Sequence, residues 1–123
     1  MPPSGMSTIL VVEDDALVRM HGIDLLEEAG FDVLEACNAD DAMIILDGLD
    51  DVHLVFSDVD MPGTMDGLAL VRLVYARWPH IHLLLTSGHH HLDQSDLPRA
   101  GQFMRKPWPN GELVARVSAL LHI

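Results

Sequence analysis

Four polar clusters in this chain each follow a short apolar run. Glu13-Asp14-Asp15 comes after Thr8-Ile9-Leu10-Val11-Val12, and Asp58 after Val52-His53-Leu54-Val55-Phe56. Thr86-Ser87 comes after Ile81-His82-Leu83-Leu84-Leu85, and Lys106-Pro107 after Gln102-Phe103-Met104. Brought together, Glu13, Asp14 and Asp58 would crowd three carboxylates, and like charges at short range disfavour mutual ionisation. A positive group has to offset them. Lys106 is one candidate, and a hard divalent cation such as Mg2+ or Mn2+ is another. Mg2+ takes oxygen ligands, keeps several waters and uses few protein carboxylates beside phosphate oxygens. An acid-lined pocket with a lysine therefore suits phosphoryl transfer, the cations neutralising the transferred group and a carboxylate acting as nucleophile. Asp58 is the candidate nucleophile. The turn-rich Val59-Asp60-Met61-Pro62-Gly63 behind it can return the Asp60 carbonyl towards the metal, and the Thr86 hydroxyl can hydrogen-bond a phosphoryl oxygen.

These residues need a frame that gathers them. The apolar runs at 8–12, 32–36, 52–56, 81–85 and 102–104 are short and continuous, as in strands of a parallel sheet covered on both faces. Between them the apolar residues recur at helical spacing. Ala16, Met20, Ile23 and Leu26 form one stripe, stopped at Gly30. Ala42, Ile45, Leu46 and Leu49 form the next, with Asn38 as N-cap and Asp40 and Asp41 in the first turn. Leu68, Val71, Val74 and Trp78 follow, capped by Asp66 and ended by Pro79; Leu113, Val117 and Leu120 come last, after Pro109 and Asn110. The segment 89–99 carries the weakest pattern, with room for a short helix around 92–97 before Pro98. Five strand–helix repeats predict right-handed crossovers and an α/β parallel sheet between helix layers. In an open parallel sheet, ligands bind outside the carboxyl ends of the strands. Each polar cluster alone reads as a helix cap or loop; four of them at one sheet edge do not.

Composition limits the alternatives. A chain of 123 residues, 49% hydrophobic, suits one domain. The net charge of -12 argues against gripping nucleic acid directly or lying on an anionic membrane. No apolar run approaches the roughly 20 residues of a membrane span. The start Met1-Pro2-Pro3-Ser4-Gly5 lacks a secretory pattern, which predicts a soluble, cytoplasmic protein. Cys37 is the sole cysteine, so no internal disulfide forms, and it is expected to be a plain buried residue.

The matching stretches Ile9-Leu10-Val11-Val12-Glu13-Asp14-Asp15, Leu54-Val55-Phe56-Ser57-Asp58-Val59-Asp60-Met61-Pro62-Gly63, Asp66-Gly67, Leu85-Thr86-Ser87-Gly88 and Phe103-Met104-Arg105-Lys106-Pro107 resemble the receiver domains of two-component response regulators. The resemblance covers about residues 7 to 121. It implies a flavodoxin-like doubly wound sheet of order 2-1-3-4-5 with about five helices, the domain spanning 7–123. Residues 1–6 read as a flexible tail. The resemblance also implies that Glu13 and Asp14 hold Mg2+, directly or through water, and that the Asp60 carbonyl completes that site. Asp58 would accept a phosphoryl group from a histidine kinase or a histidine phosphotransfer protein. Thr86 would be the switch hydroxyl, Lys106 would pair with the phosphoryl group, and Pro107 would follow in a bond that is often cis. Phe103 sits at the aromatic switch position and, lacking a hydroxyl, would act by packing alone. The output partner and the choice between a stand-alone regulator and a hybrid-kinase receiver stay open.

Three rival readings compete. Asp58-Val59-Asp60 after an apolar strand also fits the aspartyl nucleophile of haloacid-dehalogenase-like phosphatases, although there the motif lies near the N-terminus and its further acids lie downstream. A degenerate receiver would only bind partners, which the full set of Glu13, Asp14, Asp58, Thr86 and Lys106 disfavours. A flavin-binding domain would need a Ser/Thr/Gly-rich loop where this chain has acids. His89-His90-His91 reads as a solvated loop rather than a metal tract. His53 and His82 read as surface or half-buried strand residues, and Met61, Met65 and Met104 as packing or turn residues. Trp108 either covers an edge of the core or faces a partner.

Overall fold

The computed structural model describes residues 7–49, 51–63, 65–88, 92–98, 101–109 and 111–122. The expected tail at 1–6, the His89-His90-His91 loop and Asn110 lie outside them. The elements run β1 (Thr8–Val12), α1 (Ala16–Glu28), β2 (Asp32–Ala36), α2 (Ala39–Gly48), β3 (Leu54–Asp58), α3 (Gly67–Arg77), β4 (His82–Ser87), β5 (Gly101–Arg105) and α4 (Glu112–Leu121). Every strand pair is parallel, and the sheet order is β2-β1-β3-β4-β5, as expected. Four α-helices are present among the described residues; the weakly patterned segment before β5 forms one 3-10 turn, Gln94–Asp96.

The continuous apolar runs become strands because both sheet faces are covered. Residues alternate between the faces with period two. Leu10, Val12, Val55, Leu83 and Leu85 pack with Ala42 and Leu46 of α2 and Leu70, Val71 and Val74 of α3. Ile9, Val11, Leu54, Phe56, Leu84 and Met104 pack on the other face with Leu26 of α1 and Leu113, Val117 and Leu120 of α4. Every residue of β3, the central strand, is buried. Asn38 and Asp66 cap α2 and α3 as expected, accepting from the Asp41 and Ala69 N–H groups, while Asp15 caps α1 by accepting from Leu17 and Val18. Gly30 adopts φ +96 just past α1, a left-handed conformation that suits a residue without Cβ.

Some sequence-based expectations need correction. β3 begins two residues late and runs to Asp58, because its ladder to β1 starts at Ile9↔Leu54 and its ladder to β4 ends at Asp58↔Thr86. Asp58, Thr86 and Ser87, expected directly after their strands, thus lie within the last residues of them. Met20 and Ala16 of the first stripe are exposed, whereas Leu26 is buried and Ile23 packs against the core as expected; Gly22, outside the stripe, is buried with them. Leu49 falls beyond the end of α2 and is exposed as well. Cys37 is exposed rather than buried. It lies in the turn between edge strand β2 and α2, outside both core layers, with its Sγ 3.3 Å from Asp41 Oδ2.

Candidate functional site

Period two explains how the site assembles. Val11, Phe56, Leu84 and Met104 point to the α1/α4 face. Glu13, Asp58, Thr86 and Lys106 each follow one of them by two residues and share that side at the carboxyl edge. Glu13, Asp14 and Asp58 offer carboxylate oxygens that all lie within 4.8 Å of one another. Glu13 and Asp58 are buried and Asp14 is exposed. Lys106 bridges the buried pair, its Nζ 2.7 Å from Glu13 Oε1 and 3.3 Å from Asp58 Oδ2. Lys106 is the only lysine of the chain. The Lys106–Pro107 peptide bond is cis.

Backbone donors complete the cluster. The Asp15 N–H donates to Glu13 Oε2 at 3.1 Å, and the Asp60 N–H to Asp58 Oδ1 at 3.3 Å. Burial pushes the Glu13 carboxyl up to about 7, against the opposing pull of the Lys106 hydrogen bond and the Asp15 N–H; the neighbouring Asp58 charge adds to the rise. Burial works to lower Lys106, yet the hydrogen bond and charge of Glu13, followed by Asp58, outweigh it and hold the ammonium above the ordinary lysine value. The ammonium charge is therefore secure, and the Glu13 carboxyl is poised to take up a proton.

Thr86 and Phe103 stand differently from the acids. Thr86 is buried beside Asp58 in the ladder, but its Oγ1 accepts a hydrogen bond from Trp108 Nε1 at 2.9 Å. Phe103 points to the opposite face and is partly buried against the α2/α3 core. Sequence reasoning missed two supports. Ser87 Oγ donates to Asp60 Oδ2 at 2.8 Å, tying the end of β4 to the segment after Asp58. Arg19 Nη1 donates to the Glu13 carbonyl at 2.7 Å while its Nε pairs with Glu35 Oε1 at 3.0 Å. Trp108, for which the sequence left open a core edge or a partner face, meets the core at Phe56, with ring centroids 5.3 Å apart. The identity of Arg19 was visible, but its partners come from β1 and β2, and no local signal names them. Of the histidines, His53 is exposed and accepts from the Thr8 N–H at 2.9 Å, and His82 is half-buried, as expected. Met104 is buried in one core layer, and Met61 and Met65 pack against the other.

The profile of the response regulator receiver domain matches residues 9–118. The sensor kinase CckA of Brucella abortus (strain 2308) is 35% identical over 122 residues, covering 96% of this chain; the chain spans 13% of that relative's length. The crystal structure of the receiver domain of the hybrid histidine kinase CckA matches with a TM-score of 0.79 at 31% identity, covering 94% of this chain and 99% of that one. The response regulator protein TrrA from Thermotoga maritima, solved in complex with Mg(2+)-BeF, matches with a TM-score of 0.83 at 27% identity, covering 94% of this chain and 99% of that one. Among the described residues, no helix is long and apolar enough to cross a membrane.

Proposed function

The chain belongs to the response regulator receiver domain family, and from that premise we propose that Asp58 is its phosphoacceptor, loaded from a phosphohistidine on a histidine kinase or a histidine phosphotransfer protein. The observation that carries this reading is the Lys106 ammonium bridging buried Glu13 and Asp58, with Asp14 beside them. Two buried acids share one ammonium, which leaves negative charge to offset. The donor set is all hard oxygen, which fits Mg2+ or Mn2+ and not a soft metal. Glu13, Asp14, Asp58 and the Asp60 carbonyl would hold that ion, which when bound would offset charge on the transferred group.

The remaining work belongs to the chain. A carboxylate oxygen of Asp58 attacks phosphorus, the N–P bond breaks, and the electron pair returns to the donor imidazole. Lys106 pairs with a phosphoryl oxygen, Thr86 donates its hydroxyl to another, and Phe103 repacks. The added charge of about -1.5 to -2 shifts the population towards that state. Uptake from a small donor such as acetyl phosphate and slow self-dephosphorylation follow from the same site. The output partner acts by protein contact, without direct nucleic-acid or membrane binding by this domain, in the cytoplasm. The test is labelling by acetyl phosphate with Mg2+. One phosphoryl per chain, lost on chelation, is expected; turnover of a phosphate ester well beyond one equivalent would instead favour a phosphatase.

Two further outcomes follow. Lys106→Ala should fold and still take label, but its Thr86 amide should no longer shift when beryllofluoride and Mg2+ are added; a wild-type shift would remove Lys106 from the switch. The second concerns pH. Because the folded Glu13 carboxyl titrates near 7, above the ordinary 4.5, the folded chain holds this proton more tightly than the unfolded one. Its contribution to stability is full below 4.5 and is lost as pH rises through 7. A cation must expel that proton, so Mg2+ binding should tighten with pH, by about tenfold between pH 6 and pH 8. Isothermal titration in buffers of different ionisation enthalpy measures both the affinity and the proton release. A flat affinity without proton release would sink the assignment.

A further inference from the structure

Thr86 and Trp108 lie 22 residues apart, and their side chains meet through one hydrogen bond. An indole N–H only donates, so Thr86 Oγ1 acts here as the acceptor. The indole is aimed by packing on three sides. It stacks on His21 at 5.7 Å between centroids and 6° between planes. It leans on Phe56 at 57°. It also fills the slot above Gly22, where an added Cβ would come within 3.4 Å of the ring. Thr86 is buried, and its β-branched side chain has few staggered positions, so turning the hydroxyl away means leaving the indole.

We propose that Trp108 is a positioning residue for Thr86: its indole N–H holds the threonine hydroxyl away from the phosphoryl group, and loading Asp58 must break that bond. The proposal rests on the reading of Thr86 as the switch hydroxyl. It goes further in naming what opposes the switch. In the resting state the hydroxyl has a good neutral partner, and a half-buried indole N–H has its own need met. On turning, Thr86 gains a charged acceptor while the indole is left to find another partner. Removing the N–H while keeping an aromatic ring should therefore favour the turned state. That sign is opposite to ordinary damage near a binding site.

The chain has two tryptophans, Trp78 and Trp108, so the indole region of a 15N–1H spectrum carries its own control. Titrating the whole chain with beryllofluoride and Mg2+ should move the Trp108 indole N–H signal and speed its exchange with water, leaving that of Trp78 in place. Thr86→Val should show the released Trp108 signal before any beryllofluoride is added. Trp108→Phe should lower the beryllofluoride midpoint by about fivefold, the worth of one neutral hydrogen bond. A Trp108 indole signal unchanged at saturation, while the Asp58 and Thr86 amides shift, would overturn the proposal and leave the phosphoacceptor reading intact. So would a Trp108→Phe midpoint equal to or above that of the wild type. If the Asp58 amide of the wild type does not respond at all, the phosphoacceptor reading fails and takes this proposal with it.

Discussion

Asp58→Asn should take no label from acetyl phosphate and Mg2+ under conditions in which the wild type approaches one phosphoryl per chain. Four acids near the site could be suspected of accepting the group, and the geometry separates them. Glu13 is held by Lys106 at 2.7 Å and by the Asp15 N–H, and its raised titration leaves it partly protonated near neutral pH, a poor nucleophile. Asp14 is exposed, so its attack would not be sheltered from water. Asp60 has its Oδ2 engaged by the Ser87 hydroxyl. Asp58 ends the central strand, is buried, and makes only loose contacts of 3.3 Å with both Lys106 and the Asp60 N–H. Both of its oxygens can exchange those contacts for the incoming group. The asparagine keeps the shape and removes one of three crowded carboxylates, so the variant should fold at least as stably as the wild type. Mass spectrometry of the intact chain reads the result. Persistent stoichiometric label on Asp58→Asn would move the acceptor elsewhere.

The convergence of this site was legible because it follows from the pleat. Glu13, Asp58 and Lys106 each sit two residues beyond an apolar residue that faces α1 and α4, so a parallel sheet puts them side by side. The resemblance then supplied the roles proposed for them. Strand ends were less legible. Asp58, Thr86 and Ser87 are polar and therefore look like loop residues, yet the ladder continues through them and their side chains find partners in the site. Met20 shows another limit. Periodicity identifies a stripe on α1 but not which of its turns the core covers, and Met20 is exposed. The Trp108–Thr86 bond could not be read at all, since it needs α1 to present Gly22 at the point where the chain turns after Lys106. The titration of Glu13 depends on its depth, which no local pattern records.

Gly67→Ala is the substitution expected to harm the fold most directly, and it should also reach the chemistry. Gly67 begins α3, and its N–H donates to the Val59 carbonyl at 3.0 Å. A Cβ built there would lie 1.9 Å from the Asp58 carbonyl oxygen, 2.7 Å from its carbon and 3.0 Å from Ser57 Oγ. Two of these are backbone atoms of the central strand, which cannot swing aside as a long side chain would. Overpacking typically costs about 1–3 kcal/mol, and a clash with fixed backbone belongs at or above the top of that range. Melting should fall by about 10 °C for a chain of this size. Relief requires either the start of α3 to retreat or the end of β3 to shift. In the second case Asp58 moves against Glu13 and Lys106, and a misplacement near 1 Å can slow a reaction about 100-fold. Gly48→Ala is the matched control: it lies in α2 with nothing within 4 Å of an added Cβ, and alanine favours a helix, so that variant should melt no lower than the wild type. Circular dichroism and acetyl phosphate labelling of both variants measure the two effects. If Gly67→Ala melted with the wild type and labelled at its rate, the close approach of α3 to Asp58 would not constrain the acceptor, and the glycine after the Asp66 cap would need another explanation.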